Sequence, residues 1–197
     1  MVRSNSELRA QALEFLSDKW GIAIGTFLVY MILLGGVQVI VPFVGSGVTI
    51  IIGGPMAVGI SIFTLAIIRR EEVRLEQIFD GFQNFGTALG AYLLMVIFIF
   101  LWTLLFIIPG IIMGLAYSQT FYIIADDKSI SAMDAIDKSK AMMDGYKWKF
   151  FLLGLSFIGW GILCIFTLGI GFLWLMPYIQ VSYANFYEEI KEHGMTA

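Results

Sequence analysis

Apolar residues run along this chain in three long blocks that contain no charged side chain. The blocks are Trp20–Ile68, Gly81–Ala125 and Phe150–Tyr187. Because a helix crosses the hydrocarbon layer of a membrane with about 20 apolar residues, each block is long enough for two spans. Breaker residues predict a turn near the middle of each block, at 42–47, at 109–110 and at 167–171.

This pattern predicts an all-α, polytopic membrane protein with six transmembrane helices arranged as three hairpins. The predicted spans are 20–41, 47–68, 87–108, 110–125, 150–167 and 170–188. They form a single transmembrane domain over 1–197. Its parts are an N-terminal segment 1–19, hairpins 20–68, 87–125 and 150–188, charged segments 69–86 and 126–149, and a tail 189–197.

A short amphipathic segment precedes each predicted hairpin. These segments are Ser6–Asp18, Val73–Phe85 and Ser131–Asp144, and apolar residues recur in each of them at roughly helical intervals among charges. We therefore expect three amphipathic helices on the cytoplasmic side. Either three copies of one unit or three independently similar segments would give this recurrence.

Composition excludes the other broad classes of protein. The chain is 59% hydrophobic and 14% charged, with a mean hydropathy of +0.86, whereas a soluble domain is about 45–50% apolar and about 25% charged. A net charge of −3 offers no basic surface for nucleic acid. Cys164 is the single cysteine, so the chain forms no internal disulfide.

The positions of the basic residues predict the orientation. All 12 Lys and Arg residues lie in the N-terminal segment, the two charged segments or the tail, and none lies at the predicted hairpin turns. By the positive-inside rule, both termini and both charged segments are cytoplasmic in a plasma-membrane protein.

The charge-free blocks also limit the chemistry. An ionisable side chain within a span is the usual sign of an ion path or proton relay, and the blocks contain none. His193, the single histidine, lies near the end of the chain. We therefore expect no enzyme activity, no metal and no cofactor. Four carboxylates could hold Mg²⁺ beside a lipid phosphate, although a solvated surface explains them more simply: Asp126, Asp127, Asp134 and Asp137.

Neutral polar residues lie in the cytoplasmic halves of the fourth and sixth predicted spans. They are Tyr117, Gln119, Thr120, Gln180, Tyr183 and Asn185. One interpretation is hydrogen bonding between helices, worth about 0.6 kcal/mol for each bond on average. The other is a polar cavity, open to the cytoplasm, for a lipid headgroup, a peptide or a small neutral solute.

Glycine and proline residues predict where helices bend, turn, end or pack closely. Gly54 and Pro55 predict a bend in the second span, and Pro177 interrupts the sixth. The Pro109–Gly110 pair predicts a turn, and Gly145 predicts the end of an amphipathic helix. Glycine pairs at G-x-x-x-G spacing suggest close helix packing within one chain, or a homo-oligomer interface: Gly21/Gly25, Gly86/Gly90 and Gly110/Gly114.

Several runs resemble a family of prokaryotic integral membrane proteins known as domain of unknown function 975. The runs are Leu101–Ile111, the pattern Ser139-x-x-Met142-Met143-x-Gly145-x-Lys147, Leu155–Trp160 and Thr167–Tyr178. The layout is also similar to that of the membrane domain attached to some glycerophosphodiester phosphodiesterases. The resemblance implies a bacterial or archaeal six-span protein. It implies no activity and no catalytic residues, and the catalytic domain of the phosphodiesterase has no counterpart in this chain.

Three hypotheses about function follow. The first is a non-enzymatic membrane protein that binds lipid, or a protein or peptide partner, in the cell envelope. The second is a small permease or transporter subunit for a neutral or amphiphilic solute. The third and weakest is an Asp-dependent enzyme that acts on lipid phosphate.

Overall fold

The structure is a computed structural model. It describes the backbone of residues 3–40 and 42–195 and the side chains of 3–36 and 47–193. The predicted end of the first span at Val41, and residues 1–2 and 196–197 of the predicted terminal segments, lie outside the described residues. The helices are α1 (Asn5–Leu16), α2 (Trp20–Ile40), α3 (Pro42–Ile68), a 3₁₀ helix (Leu75–Asn84), α4 (Phe85–Leu105), α5 (Ile107–Ala116), α6 (Thr120–Asp126), α7 (Ala132–Met142), α8 (Lys147–Leu155), α9 (Ile158–Phe166) and α10 (Phe172–Met195).

The described residues are all-helical, with no strand, and several helices are apolar enough to cross a membrane. By length and composition, four stretches qualify: Gly47–Ile68, Leu75–Leu105, Ile107–Asp126 and Lys147–Phe166. A fifth is counted if α1 and the start of α2, which meet at 99°, form one bent span. These criteria therefore support four to five spans, where the sequence pattern predicts six. The predicted sixth span, which corresponds to α10, does not meet these criteria, because its polar residues lower its mean hydropathy.

Of the three predicted turns, only the last lies where the sequence pattern places it. Residues 42–47, predicted as the first turn, belong to α3, so the chain turns before Pro42. Between α9 and α10, residues 167–171 form the predicted turn, in which Leu168 and Gly169 have φ angles of 54° and 86°. In the second block, however, the break lies at Phe106, which is extended, and α4 ends three residues before the predicted position 108. Pro109 instead occupies the first turn of α5, where its missing N–H removes no helical hydrogen bond.

Two of the predicted spans are interrupted helices. The stretch from α5 to α6 breaks at residues 117–119, and the stretch from α8 to α9 breaks at 156–157. A serine hydroxyl lies at each break: Ser118 Oγ donates to the Leu115 carbonyl at 2.8 Å, and Ser156 Oγ donates to the Leu153 carbonyl at 2.6 Å. Such local bonds compete with the helical pattern, and both breaks contain a serine that makes one.

Three helices form the interior of the molecule. These inner helices are α3, α6 and α10, and α3 packs against both of the others. They supply most of the largest buried side chains, such as Phe63, Ile123 and Phe186. The outward faces of α4 and α9 carry exposed apolar side chains instead, as expected for a surface that meets lipid.

Each amphipathic segment packs against an inner helix. The 3₁₀ helix lies on α3, the helix that precedes it, and α7 likewise packs against α6. No helix precedes α1 in the described chain, and it packs against α10. The same pairing therefore occurs three times, and its third occurrence joins the two ends of the described chain.

Close backbone contacts fix the 3₁₀ helix and α4 on α3. A Cβ atom at Gly59 would overlap the Ile78 carbonyl, and one at Gly81 would overlap the Pro55 carbonyl. A Cβ atom at Gly54 would likewise overlap the Ala88 carbonyl of α4. Pro55 lies within α3 between these contacts, as Pro177 lies within α10.

The glycines at G-x-x-x-G spacing contribute less to close helix packing. An added Cβ at Gly21, Gly25 or Gly86 would meet nothing within 4 Å. Gly110 is the exception, because a Cβ there would overlap the Thr103 side chain where α5 folds back on α4. Gly145 has a φ of 77° and follows the end of α7, which is the conformation that glycine adopts most readily.

We expect Gly59→Ala to lower the free energy of unfolding by about 1–3 kcal/mol, because the new methyl group must displace the backbone of the 3₁₀ helix. The matched control is Gly25→Ala, which adds the same group to open space in α2. Thermal unfolding in detergent micelles measures both variants. Equal stability of the two variants would contradict the close contact between α3 and the 3₁₀ helix.

Candidate functional site

A cavity of about 260 Å³ lies between the inner helices. Its lining comes from α2, α3, α6, α8 and α10 and from the break between α5 and α6. The lining residues are Tyr30, Ala57, Ile60, Ser61, Ser118, Phe121, Tyr122, Phe150, Gln180 and Tyr183. None of these side chains is charged. We call this space the central cavity.

The polar groups of the central cavity keep hydrogen-bonding capacity. Ser61 Oγ donates to the Ala57 carbonyl at 3.0 Å, which leaves the lone pairs of its oxygen available to a ligand. The Tyr122 hydroxyl lies 3.4 Å from both the carbonyl and the Oε1 of Gln180. Within the described part of the chain, Gln180 Nε2 has no acceptor. The cavity can therefore both donate to and accept from a neutral polar group.

A pair of stacked tyrosines lies at one side of the cavity. The ring of Tyr122, which lines it, stacks on the ring of Tyr187 at a centroid distance of 5.3 Å. The Tyr187 hydroxyl in turn donates to Asp126 Oδ2 at 2.7 Å. This stack links the cavity to a group of charged residues.

We call that group the charge cluster, and it consists of Arg69, Asp126, Tyr187, Glu188 and Lys191. The Arg69 guanidinium lies 2.7 Å from Asp126 and also pairs with Glu188. Lys191 Nζ lies 2.5 Å from the other oxygen of Asp126. Arg69 follows the last residue of α3, Asp126 ends α6, and the remaining three residues belong to α10. The cluster therefore ties together one end of all three inner helices, with two positive and two negative charges.

The sequence contains a signal for the charge cluster in the positions of its charged residues. Arg69, Asp126 and Glu188 are each the first charged residue after one of the three charge-free blocks. If the blocks are equivalent hairpins, these three residues occupy the same level of the membrane. Opposite charges at equivalent positions then predict a contact.

The six residues predicted to form one polar cavity lie in several different environments. Gln180 and Tyr183 line the central cavity. The fully buried Gln119 donates from its backbone N–H to Ser139 Oγ at 3.2 Å, and Thr120 Oγ1 donates to the Tyr117 carbonyl at 2.7 Å. The Tyr117 ring packs 6.2 Å from that of Phe98. The proposed grouping of all six remains a prediction.

Asn185, the sixth of these residues, joins α10 to α1. Its Nδ2 donates to the Leu8 carbonyl at 3.1 Å and to Gln11 Oε1 at 3.0 Å. One turn further along α10, Glu189 is almost fully buried and accepts from the backbone N–H of Arg3 at 2.8 Å. These bonds hold the amphipathic α1 at the end of the inner helices.

The carboxylates considered for an Mg²⁺ site are engaged separately. Asp126 belongs to the charge cluster, and Asp134 accepts from Ser131 at the start of α7. Asp127 accepts from the side chain and backbone of Ser129, and these hydrogen bonds lower the pKa of Asp127. The described residues contain no group of three or more His, Cys, Asp or Glu side chains that could hold a metal ion.

We expect Asp126→Asn to lower the free energy of unfolding by about 2 kcal/mol, because it leaves Arg69 and Lys191 without their shared carboxylate. Fully buried pairs lose about 3–5 kcal/mol, and the partial exposure of this cluster reduces the loss. Denaturant unfolding in detergent micelles measures this loss in the free energy of unfolding. Asp137→Asn is the control at an exposed position, where changes stay within about 0.5 kcal/mol. Equal losses in both variants would contradict the role of the cluster.

Comparison with known proteins identifies the family. The model of the family described as "Protein of unknown function (DUF975)" matches residues 1–113 and 104–194. No curated protein and no solved structure gives a significant match. Since the family model covers almost the whole length, the chain belongs to the DUF975 family of proteins of unknown function.

Proposed function

We propose that the chain is a six-span protein of the bacterial plasma membrane with both termini in the cytoplasm. The distribution of basic residues supports the orientation. The exposure pattern of α10 supports counting it as the sixth span. Its polar residues Ser182 and Asn185 are buried against other helices, whereas Trp174 and Met176 are exposed. The low mean hydropathy of α10 therefore reflects its inner face and its charged end, and not the face toward lipid.

Single cysteines in a Cys164→Ala background test this topology. We expect an impermeant maleimide to label Leu168→Cys on intact spheroplasts, because this side chain is exposed in the turn before α10. Labelling of Glu76→Cys and Ser129→Cys, and detection of an epitope tag after residue 197, should require permeabilised membranes. Accessibility of all four positions from one side would contradict the proposal.

The proposed function is non-enzymatic binding of a neutral, amphiphilic molecule, with its polar headgroup in the central cavity. The observation that carries it is the lining of this cavity, in which hydroxyl and amide groups from several helices surround a space without charges. Burying a neutral polar headgroup requires such groups, since each unsatisfied hydrogen bond is expensive in a low-dielectric interior. A lipid with an uncharged headgroup combines this polar part with an apolar remainder.

A second candidate is a permease for a neutral or amphiphilic solute. The charge cluster favours it, because the residues that join the ends of the three inner helices are linked to the cavity through the Tyr122–Tyr187 stack. Separation of the ion pairs would let these ends move apart. The cluster would then act as a closure between the cavity and the cytoplasm.

A photoactivatable monoacylglycerol tests both functions, since its glycerol headgroup is neutral and carries two hydroxyls. We expect it to label residues of α3, α6 and α10 in reconstituted protein, and Gln180→Leu to reduce labelling about tenfold by removing hydrogen bonds to the headgroup. Gln83→Leu, which lies outside the cavity, serves as the control.

The outcomes separate the hypotheses. Labelling without movement of the probe across proteoliposome membranes supports a binding protein, and movement that Gln180→Leu abolishes supports a permease. Labelling that is equal in wild type and Gln180→Leu would overturn the cavity as the site. Cross-linking in native membranes that captures one protein or peptide partner in place of lipid would assign the binding role to that partner.

A further inference from the structure

An apolar groove of about 420 Å³ runs along the surface between α1, the start of α2, α9 and α10. It is lined by Leu13, Trp20, Trp160, Cys164, Gly171, Trp174, Leu175 and Tyr178. Three of the five tryptophans of the chain are therefore in one groove. It shares no lining residue with the central cavity.

The groove is long enough to hold part of a lipid acyl chain. Along α10 it extends from Tyr178 to Gly171, a distance of about 10 Å at 1.5 Å per residue. Leu13 and Trp20 lie at the end toward α1. Trp160 and Trp174 are 54% and 49% exposed, so the groove opens to the surroundings of the protein. In the hydrocarbon layer those surroundings are acyl chains.

A charged side chain lies at the α1 end of the groove. Arg9 precedes Leu13 by one helical turn, so the two side chains share a face of α1. Arg9 Nη1 contacts the carbonyl of Ser156 at 3.5 Å, four residues before Trp160. Arg9 is also within electrostatic range of Tyr178, which lines the groove.

Arg9 differs from the other arginines in what it contacts. Arg3, Arg69, Arg70 and Arg74 each form an ion pair with a carboxylate. Arg9 forms none with any described residue, and its Nε is buried without a hydrogen-bond acceptor. A partly buried guanidinium without a carboxylate partner favours an anionic ligand, and its planar donor set matches the oxygens of a phosphate group.

We propose that the groove binds an anionic phospholipid, with the phosphate on Arg9 and one acyl chain between the tryptophans. Charge complementarity selects this occupant, because the excess positive charge of Arg9 favours a headgroup with net negative charge over a zwitterionic one. The site is independent of the neutral headgroup proposed for the central cavity. A phospholipid bound in the groove would contact both α1 and α9.

Tryptophan quenching by brominated phospholipids tests this inference. A Trp102→Phe/Trp148→Phe background leaves only the three groove tryptophans as reporters. In nanodiscs of phosphatidylcholine, we expect brominated phosphatidylglycerol to quench at lower mole fractions than brominated phosphatidylcholine. Arg9→Gln should raise the phosphatidylglycerol fraction for half-maximal quenching about fivefold, the effect of about one basic group near an anionic lipid.

Two further variants make the result specific. Arg74→Gln removes an exposed positive charge elsewhere and should leave the quenching curve unchanged. Arg9→Lys retains the charge without the planar fork and should restore part of the preference. Equal curves for wild type and Arg9→Gln, or no preference between the two brominated lipids, would overturn the inference. Labelling of the central cavity by the monoacylglycerol probe in Arg9→Gln shows that the variant is folded, and its outcome is independent of the groove.

Discussion

The contact of Arg69 with Asp126 and Glu188 determines how the inner helices are arranged. Each of the three residues is at or next to the end of a different helix, so their pairing sets the three helix ends at one level. In a membrane, a charge at each of these helix ends would otherwise have to reach water separately. Once the ends are joined, the positions of Tyr122 and Tyr187 and the width of the space beside them follow. The central cavity therefore lies beside ionic contacts that hold the ends of its helices together.

The arrangement also explains why neutral polar residues suffice in the interior. Charges are collected at the helix ends, where Lys191 and Tyr187 complete the hydrogen bonds of Asp126. The interior of the bundle then needs only hydroxyl and amide groups, many of which bond to backbone carbonyls of their own helix, as Thr64 and Ser182 do. Such groups tolerate a low dielectric far better than ionised side chains. A ligand can therefore bind only to the donors and acceptors that these local hydrogen bonds leave unused.

Much of the fold could be predicted from the sequence, because lipid imposes a simple rule on apolar length. The ends of α3 and α6 lie where charge-free blocks end, and the turn after α9 lies at its glycines. The break at Phe106 could not be predicted, because an apolar residue in an apolar run carries no breaker signal. The central cavity contains residues of both kinds, some that stand out in the sequence and some that do not. Gln180 and Tyr183 were recognised by polarity, but which helices face them is decided by tertiary packing, and Ser61 and Tyr30 came from a different hairpin.

The attachment of α1 to α10 has a consequence for biosynthesis. Leu8 and Asn185 are 177 residues apart in the chain, yet they are joined by a hydrogen bond, and Glu189 is likewise buried against Arg3. A ribosome releases α1 long before α10 exists, so α1 remains without this partner while α10 is translated. Its amphipathic character suits that interval, since its apolar face can rest in the lipid headgroup region. The contacts between α1 and α10 can therefore form only after α10 has been synthesised, so the complete bundle forms late.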